Sequence, residues 1–316
     1  MLGAKALSRV VSPILNKAFP GGLILGYHQI AASSWDPLGM SIAPDCFRDQ
    51  LQQLTRAYSV VGIEQLIDAA GSGLASSKGY AAVTFDDGYS SFSQHVLPVV
   101  EELGVPVTLF VTSEAVSTTF WWDSVVAALD PRSAGVDEFR LQVEGMGEIR
   151  GTSSLADATR LVRKLCGELE RVDVGIRRQV VDQCYSRSLD VAQAVTKEQL
   201  RVLADHPLVE IGSHGLSHTR LDTLDVEEQE RELTASRKQL RALTGGERIV
   251  GVSYPHGAVD SQVARLVEHV GYQYGCGSRG GLVRGRTPRY RLPRVWPPNV
   301  AGSEFTRWMS SWGGRS

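Results

Sequence analysis

Two adjacent carboxylates follow directly on an apolar, β-favouring run, and that juxtaposition limits what this chain can fold into. Tyr80-Ala81-Ala82-Val83-Thr84-Phe85 has the composition and length of a buried strand. The strand should stop at Asp86-Asp87, where Gly88 lets the backbone turn sharply. Ser90-Ser91 then stands where it can cap a helix whose apolar positions, Phe92, Val96, Val99 and Leu103, recur at helical spacing. Acids at the carboxyl end of a strand lie where α/β folds carry out chemistry. Side by side they raise one another's pKa unless a positive charge intervenes, and a metal ion is the simplest such charge. One carboxylate can then ligate the ion while the other takes a proton from water. Taken alone, Asp-Asp-Gly reads equally well as an ordinary turn.

The flanking segments supply strand and helix alternation, and with it a parallel sheet. Gly22 to Ile30 reads as a first strand, with Tyr27-His28 towards its end; Asp45 to Tyr58 is an amphipathic helix with Phe47, Leu51 and Leu54 on one face, and Ile63 to Ala70 a second helix. Pro106 to Thr112 is the strand after the acids. The rhythm then breaks. From Phe120 to about Ala194 helical patterns dominate, the clearest being Leu155, Ala158, Val162, Leu165, Leu169 and Val172 at spacings of three and four; Glu138 to Ile149 alternates and suits a hairpin around Gly145-Met146-Gly147. We read an inserted helical lobe over about 120–195. Alternation resumes with a helix capped by Thr196, a strand Leu208 to Ser213, a helix Asp225 to Leu243, a strand Ile249 to Tyr254, a helix Asp260 to Val270 and a strand Tyr272 to Gly275. Tyr290 to Val295 is the expected last strand and Ser303 to Trp312 a terminal helix.

A net charge of -2 over 316 residues argues against a phosphate-neutralising surface, so no nucleic acid partner is expected. Cys46, Cys166, Cys184 and Cys276 are scattered without a CxxC and read as reduced thiols in the core or on helices. Residues 1–21 form a separate amphipathic segment. It lacks the continuous apolar stretch of a secretory signal, and no run is long enough to span a bilayer, which makes the cytoplasm or the cytoplasmic face of a membrane the expected location. Lys5, Arg9 and Lys17 among Leu2, Leu7, Val10 and Ile14 would let this segment rest on a membrane surface as a peripheral contact, or pack against the protein itself. The sequence does not indicate the oligomeric state.

Ser213-His214-Gly215-Leu216-Ser217-His218, at the end of a predicted strand, sets two imidazoles four residues apart, a spacing that suits two ligands of one metal. The Glu that a zincin needs beside its first His is replaced here by Gly215. Joined to the acids, Asp87, His214 and His218 make a His-His-carboxylate set with positions left for water and substrate, and Asp86 remains free as a base. Through TFDDGY and SHGLSH, in that order, the chain resembles the polysaccharide deacetylases of the NodB-homology type, over roughly residues 22–112 and 196–295 with the lobe outside. The resemblance implies an α/β fold, a distorted (β/α) barrel. It also implies a divalent metal, usually zinc with Co2+, Ni2+ or Mn2+ as substitutes, and hydrolysis of an N-acetyl or related acyl group on an amino sugar. On that reading Asp86 is the general base, and Asp87, His214 and His218 hold the metal.

The family's third motif, RxPYG, is met only in part by Ser253-Tyr254-Pro255-His256-Gly257, with Ser253 for the Arg and His256 for the Tyr. The His256 backbone N–H is the expected oxyanion donor, and Arg294 of Arg291-Leu292-Pro293-Arg294 is preferred over Arg291 to orient the base. No late apolar run ends in a His near the C-terminus. LILGYH at the front resembles that motif relocated, as in a permuted branch of the family, which makes His28 the candidate acid. Tyr89 and Tyr254 join the candidate substrate contacts, and Trp121-Trp122 is the favoured aromatic pair for stacking on a sugar ring. A carbohydrate is thus the expected partner. The rival readings are a homologue that binds carbohydrate without turning it over, and a deformylase or esterase on the same barrel.

Overall fold

The computed structural model describes residues 21–72, 78–133, 135–143, 147–172, 174–185, 192–246 and 248–313, so the amphipathic segment expected over 1–21 lies, but for Gly21, outside the described residues. Seven parallel strands make the central sheet: β1 Leu23–Tyr27, β2 Tyr58–Val60, β3 Gly79–Phe85, β4 Val107–Val111, β5 Val209–Ser213, β6 Gly251–Ser253 and β7 Tyr274–Cys276. Their order is β1-β3-β4-β5-β6-β7, and β2 pairs with the first half of β3. Strand β2 is missed by sequence reading because three residues carry too little periodicity to register.

The expected last strand takes a different form. Its residues bridge both edges of the sheet: Val295 N–H donates to Ile24 O at 2.9 Å and Leu292 N–H to Gly275 O at 2.8 Å. Pro293, between them, has no N–H to give, which limits the pairing to isolated bridges. Those bridges nevertheless join β1 to β7 and curl the sheet into a (β/α) barrel.

Period-two alternation sorts the strand residues into two faces. Leu23, Leu25, Val83, Phe85, Leu109, Val111, Ile211 and Val252 belong to one cluster with the apolar faces of the surrounding helices. Ile24, Ala82, Phe110, Tyr274, Cys276 and Leu292 form another, within the ring. Large rings fit there because glycines face them. A Cβ on Gly212 would stand 2.4 Å from Phe110 Cδ1, and one on Gly251 would stand 2.2 Å from Tyr274 Cζ.

The helices covering the barrel are α1 Pro44–Ala57, α2 Ile63–Ser72, α3 Leu97–Leu103, then, after the lobe's α4 Trp121–Ala128, α5 Leu155–Leu169 and α6 Val174–Tyr185, helices α7 Lys197–Ala204, α8 Val226–Thr244, α9 Ser261–Val270 and α10 Gly302–Gly313. Thr196 and Asp225 complete capping boxes on α7 and α8. Ser91 caps nothing: its backbone is already helical, and Phe92–Val96 is a wide π-turn leading into α3. Pro98, in the first turn of α3, lacks the N–H that would tighten it.

Residues of the lobe pack on a core of their own, in which Phe120, Trp122, Leu141, Val162, Leu165 and Leu169 are buried. Strands Arg140–Val143 and Gly147–Arg150 pair antiparallel as the expected hairpin, whose residues 144–146 lie outside the described ones. Leu155, read as the start of the apolar stripe, is 55% exposed at the first turn of α5. No helix among the described residues is long and apolar enough to cross a membrane. The face assignment is testable: Gly251→Ala should lower stability by about 1–3 kcal/mol through overpacking against Tyr274. A urea midpoint unchanged from wild type would contradict it.

Candidate active site

At the carboxyl end of β3 the backbone leaves the strand by an unusual step. Asp86 still donates its N–H to Tyr27 O at 2.8 Å, and Asp87 then adopts φ 71°. Of the four described non-glycine residues with positive φ, three lie here, Asp87, His218 and His256. Such conformations cost on the order of 1–3 kcal/mol each and survive only where the surroundings enforce them.

The enforcement is visible for the histidine loop, which is a tight turn and not a helical one. The backbone N–H groups of Leu216 and Ser217 donate to Glu232 Oε2 at 3.0 and 3.1 Å, and the Ser217 hydroxyl donates to Glu232 Oε1 at 2.7 Å. Ser236, one turn further along α8, donates to Gly215 O at 2.8 Å. Gly215 takes φ 77° against Pro255. Sequence reading missed Glu232 and Ser236, which with Gln229 are the polar residues among the buried positions of α8.

His214 Nε2 and His218 Nε2 each stand 3.4 Å from Asp87 Oδ1. His214 Nδ1 is 2.9 Å from Ser253 O, which selects the tautomer that turns the Nε2 lone pair towards Asp87. Both Asp87 oxygens are buried without a hydrogen-bond donor. A buried carboxylate so left is costly unless a cation meets it, and the three residues offer ligand atoms that all lie within 4.8 Å of one another. The donor set therefore fits a divalent metal ion. Burial opposes ionisation of Asp87, but His214 and His218 outweigh it and hold the carboxyl well below the ordinary range. Burial also depresses His218, whereas for His214 the nearby Asp86 and Asp87 outweigh burial and raise it.

Asp86 has a different set of partners. Arg294 grips it with two hydrogen bonds, Nη1 to Oδ1 and Nη2 to Oδ2, both 2.7 Å, and the Ser253 hydroxyl donates to Oδ2 at 3.0 Å. Arg294 also donates to Ser253 Oγ, Thr84 Oγ1 and Gly277 O at 2.8, 3.1 and 3.0 Å. Burial works against the Asp86 charge, yet Arg294, with His214 and His28, holds its carboxyl below the ordinary value. Ser253, which stands where the family motif has Arg, is small enough for a guanidinium from the closing segment to reach the same carboxylate.

These side chains open on a cavity of about 330 Å3 lined by His28, Trp121, Trp122, Glu170 and His256 as well as the two acids. A larger groove of about 500 Å3 lies near the amino ends of β4 and β5, away from this chemistry, and its Glu64 and Arg248 pair with one another. His28 lies flat on Trp296, ring centroids 4.8 Å apart. Trp122 is 4% exposed, with its ring 4.5 Å from that of His218 and its Nε1–H donating to Tyr89 Oη at 2.7 Å. Tyr89 departs from its expected place. It is buried in the lobe core, off the cavity, with its hydroxyl donating to Asp123 at 2.8 Å, because its aromatic body packs on Phe120. Burial raises Asp123 to about 7. Tyr254 lines the cavity but spends its hydroxyl on Tyr290 O at 2.8 Å, which leaves no phenol for an oxyanion. Trp121 lines the wall with Arg177 over its ring, and its Nε1 is buried without an acceptor. The His256 ring stands 4.6 Å from that of His218, and burial, with the nearby His218, His214 and Arg220, pushes it down to about 2. Trp296, one of the aromatic residues the sequence offers for stacking on a sugar, also lines the cavity, and Glu170 and Ser278 enter it from positions that no motif marked.

Comparison with known proteins agrees with this geometry. YxkH of Bacillus subtilis (strain 168), whose name assigns it provisionally to the polysaccharide deacetylases, is 28% identical over 126 residues, which cover 40% of this chain and 44% of that protein. The chain thus spans less than half the length of that curated relative. The Streptococcus pyogenes deacetylase PplD shares the fold with a TM-score of 0.60 at 15% identity, over 91% of this chain and 97% of that one. IcaB from Ammonifex degensii does so with a TM-score of 0.59 at 16% identity, over 94% and 98%. The model of the polysaccharide deacetylase family matches residues 74–275, a span that runs on through the lobe and leaves His28 and Arg294 outside. With its acids, its histidine loop and most of its barrel inside that match, this chain belongs to the polysaccharide deacetylase family.

Proposed function

We propose that the protein is a metal-dependent hydrolase that removes an N-acetyl or related acyl group from an amino sugar of a polysaccharide, oligosaccharide or lipid-linked glycan. The observation that carries this reading is one cavity in which a His-His-carboxylate set adjoins a second carboxylate committed to an arginine. Asp87, His214 and His218 would hold the ion, zinc first and cobalt, nickel or manganese after it. When bound, it supplies Lewis-acid polarisation of the acyl carbonyl.

The remaining work falls to the chain's own groups. Asp86 takes a proton from the attacking water. Oδ2 already accepts from Arg294 and Ser253 whereas Oδ1 accepts from Arg294 alone, so Oδ1 keeps the lone pair for that proton. Arg294 is a positioning residue that keeps Asp86 ionised and aimed. The His256 backbone N–H donates to the oxyanion. His28, across the cavity on its Trp296 platform, delivers a proton to the departing amine.

Three outcomes test these roles. Asp87→Ala should lose metal, measured by elemental analysis, whereas Asp86→Asn should keep it and lose about 10²–10⁴ of acetate release from N-acetylated sugars. Metal without acetate release in the wild type would redirect the reading to formyl or other acyl groups, or to carbohydrate binding alone. Because Asp86 titrates below its unfolded value, its pairing stabilises the fold fully above the ordinary aspartate range, and that contribution fades as pH falls below it. Arg294→Met should therefore move the acid limb of the kcat/KM profile to higher pH and cost about 3–5 kcal/mol of stability near neutrality, by leaving a buried charge unpaired. An unmoved acid limb would refute the role of Arg294. His28→Gln should slow amide substrates about 10²-fold and an aryl acetate, whose leaving group needs no proton, much less. Equal losses on both would remove His28 from the acid role.

A further inference from the structure

The wall of the cavity opposite the barrel is built by the lobe, and it carries a carboxylate with no part in the proposed chemistry. Glu170 caps the C-terminus of α5, and its side chain is 28% exposed. Of the three acids lining the cavity, Asp86 is committed to Arg294 and Asp87 faces two imidazoles. Glu170 Oε2 lies 3.4 Å from His256 Nδ1, longer than a hydrogen bond between such groups. Trp121 and Trp122 line the same cavity and bring aromatic rings to it. A carboxylate with spare lone pairs in a cavity that aromatic rings also line matches the hydroxyls and apolar faces of a sugar.

The charges around Glu170 decide which sugar groups it takes. Burial raises the Glu170 carboxyl above its ordinary range, and the nearby Arg220, Arg171 and Arg177 offset that only in part. Three guanidiniums nearby repel a further cation, so the carboxylate takes neutral donors instead. Resting on the deacetylase reading, we propose that Glu170 is a specificity-determining residue contributed by the lobe, which accepts hydrogen bonds from the ring hydroxyls of the sugar. It touches the sugar and not the reacting acyl group. It should therefore govern substrate binding more than turnover.

The test compares wild type, Glu170→Ala and Glu170→Gln, each with its metal content measured, on a β-1,4-linked trimer of N-acetylglucosamine. Glu170→Ala should raise KM about tenfold with kcat within about twofold, and Glu170→Gln, which keeps one acceptor, should fall between. An unchanged KM, or a loss confined to kcat at equal metal content, overturns the proposal. A trimer carrying one free amine supplies the charge control. If the KM effect appears only with that substrate, Glu170 reads an ammonium group and the hydroxyl assignment is wrong. If the wild type releases no acetate from any trimer, the deacetylase reading fails by itself, and calorimetric binding of the trimer to the zinc-loaded protein then decides the subsite. Tenfold weaker binding to Glu170→Ala upholds it and equal binding overturns it.

Discussion

The guanidinium of Arg294 is where barrel closure and chemistry meet. It is 1% exposed and reaches Asp86 after β3, Ser253 at the end of β6, Thr84 within β3 and Gly277 just past β7. One side chain from the closing segment thereby ties together strands that the chain order separates. Its five donors in a rigid fork allow this, and a lysine ammonium would not. The faces of Phe110 and Trp296 lie 5.8 and 4.8 Å from its centre, so the charge is enclosed by rings as well as oxygens. A buried ion pair is weak evidence of stability by itself, since desolvation offsets most of the attraction. Here its value lies in geometry: Asp86 has one orientation, and Asp87, one residue on, is free of it.

That separation of two neighbouring acids depends on the backbone. Successive residues in extended conformation point to opposite faces, whereas the left-handed turn at Asp87 lets it face His214 and His218 while Asp86 faces Arg294. The same conformation recurs at His218 and His256. The polar clamp from α8, Glu232 with Ser236, fixes the loop between the two histidines at the expense of a carboxylate buried to 5% exposure, which three donors from Leu216 and Ser217 satisfy. Strain and clamp belong together: without the second the first would relax.

The lobe gives the site depth. Its core is separate from the cores of the barrel, yet Trp121, Trp122, Cys166 and Glu170 line the same cavity as Asp87, His214 and His218. Trp122 is held by Tyr89, which follows the acids by two residues, and Tyr89 is held in turn by Asp123. The lobe and the turn that carries the two acids are thus joined through one chain of hydrogen bonds, which is why Tyr89 is a support for the wall and not part of its surface.

What the sequence by itself determined is whatever depends on neighbours along the chain. The apolar run ending at Asp86, the helical periods of α1, α5 and α8, the caps at Thr196 and Asp225, and the four-residue spacing of His214 and His218 are all local. Strands, helices and two motifs of a known family were therefore legible, and with them the parallel sheet. The π-turn after Ser91 and the short strand β2 were not, since Pro98 acts on a turn before it and three residues show no period. Arg294 was preferred to Arg291 and Trp296 was among the aromatic candidates, but the five side-chain hydrogen bonds of Arg294 to four residues, like the entry of Glu170 and Glu232, required the fold. Such contacts span long stretches of chain, 210 positions between Arg294 and Thr84. Only closure of the barrel and packing of the lobe on its rim bring them to one cavity, because contact there is set by strand order and register, which no local pattern encodes.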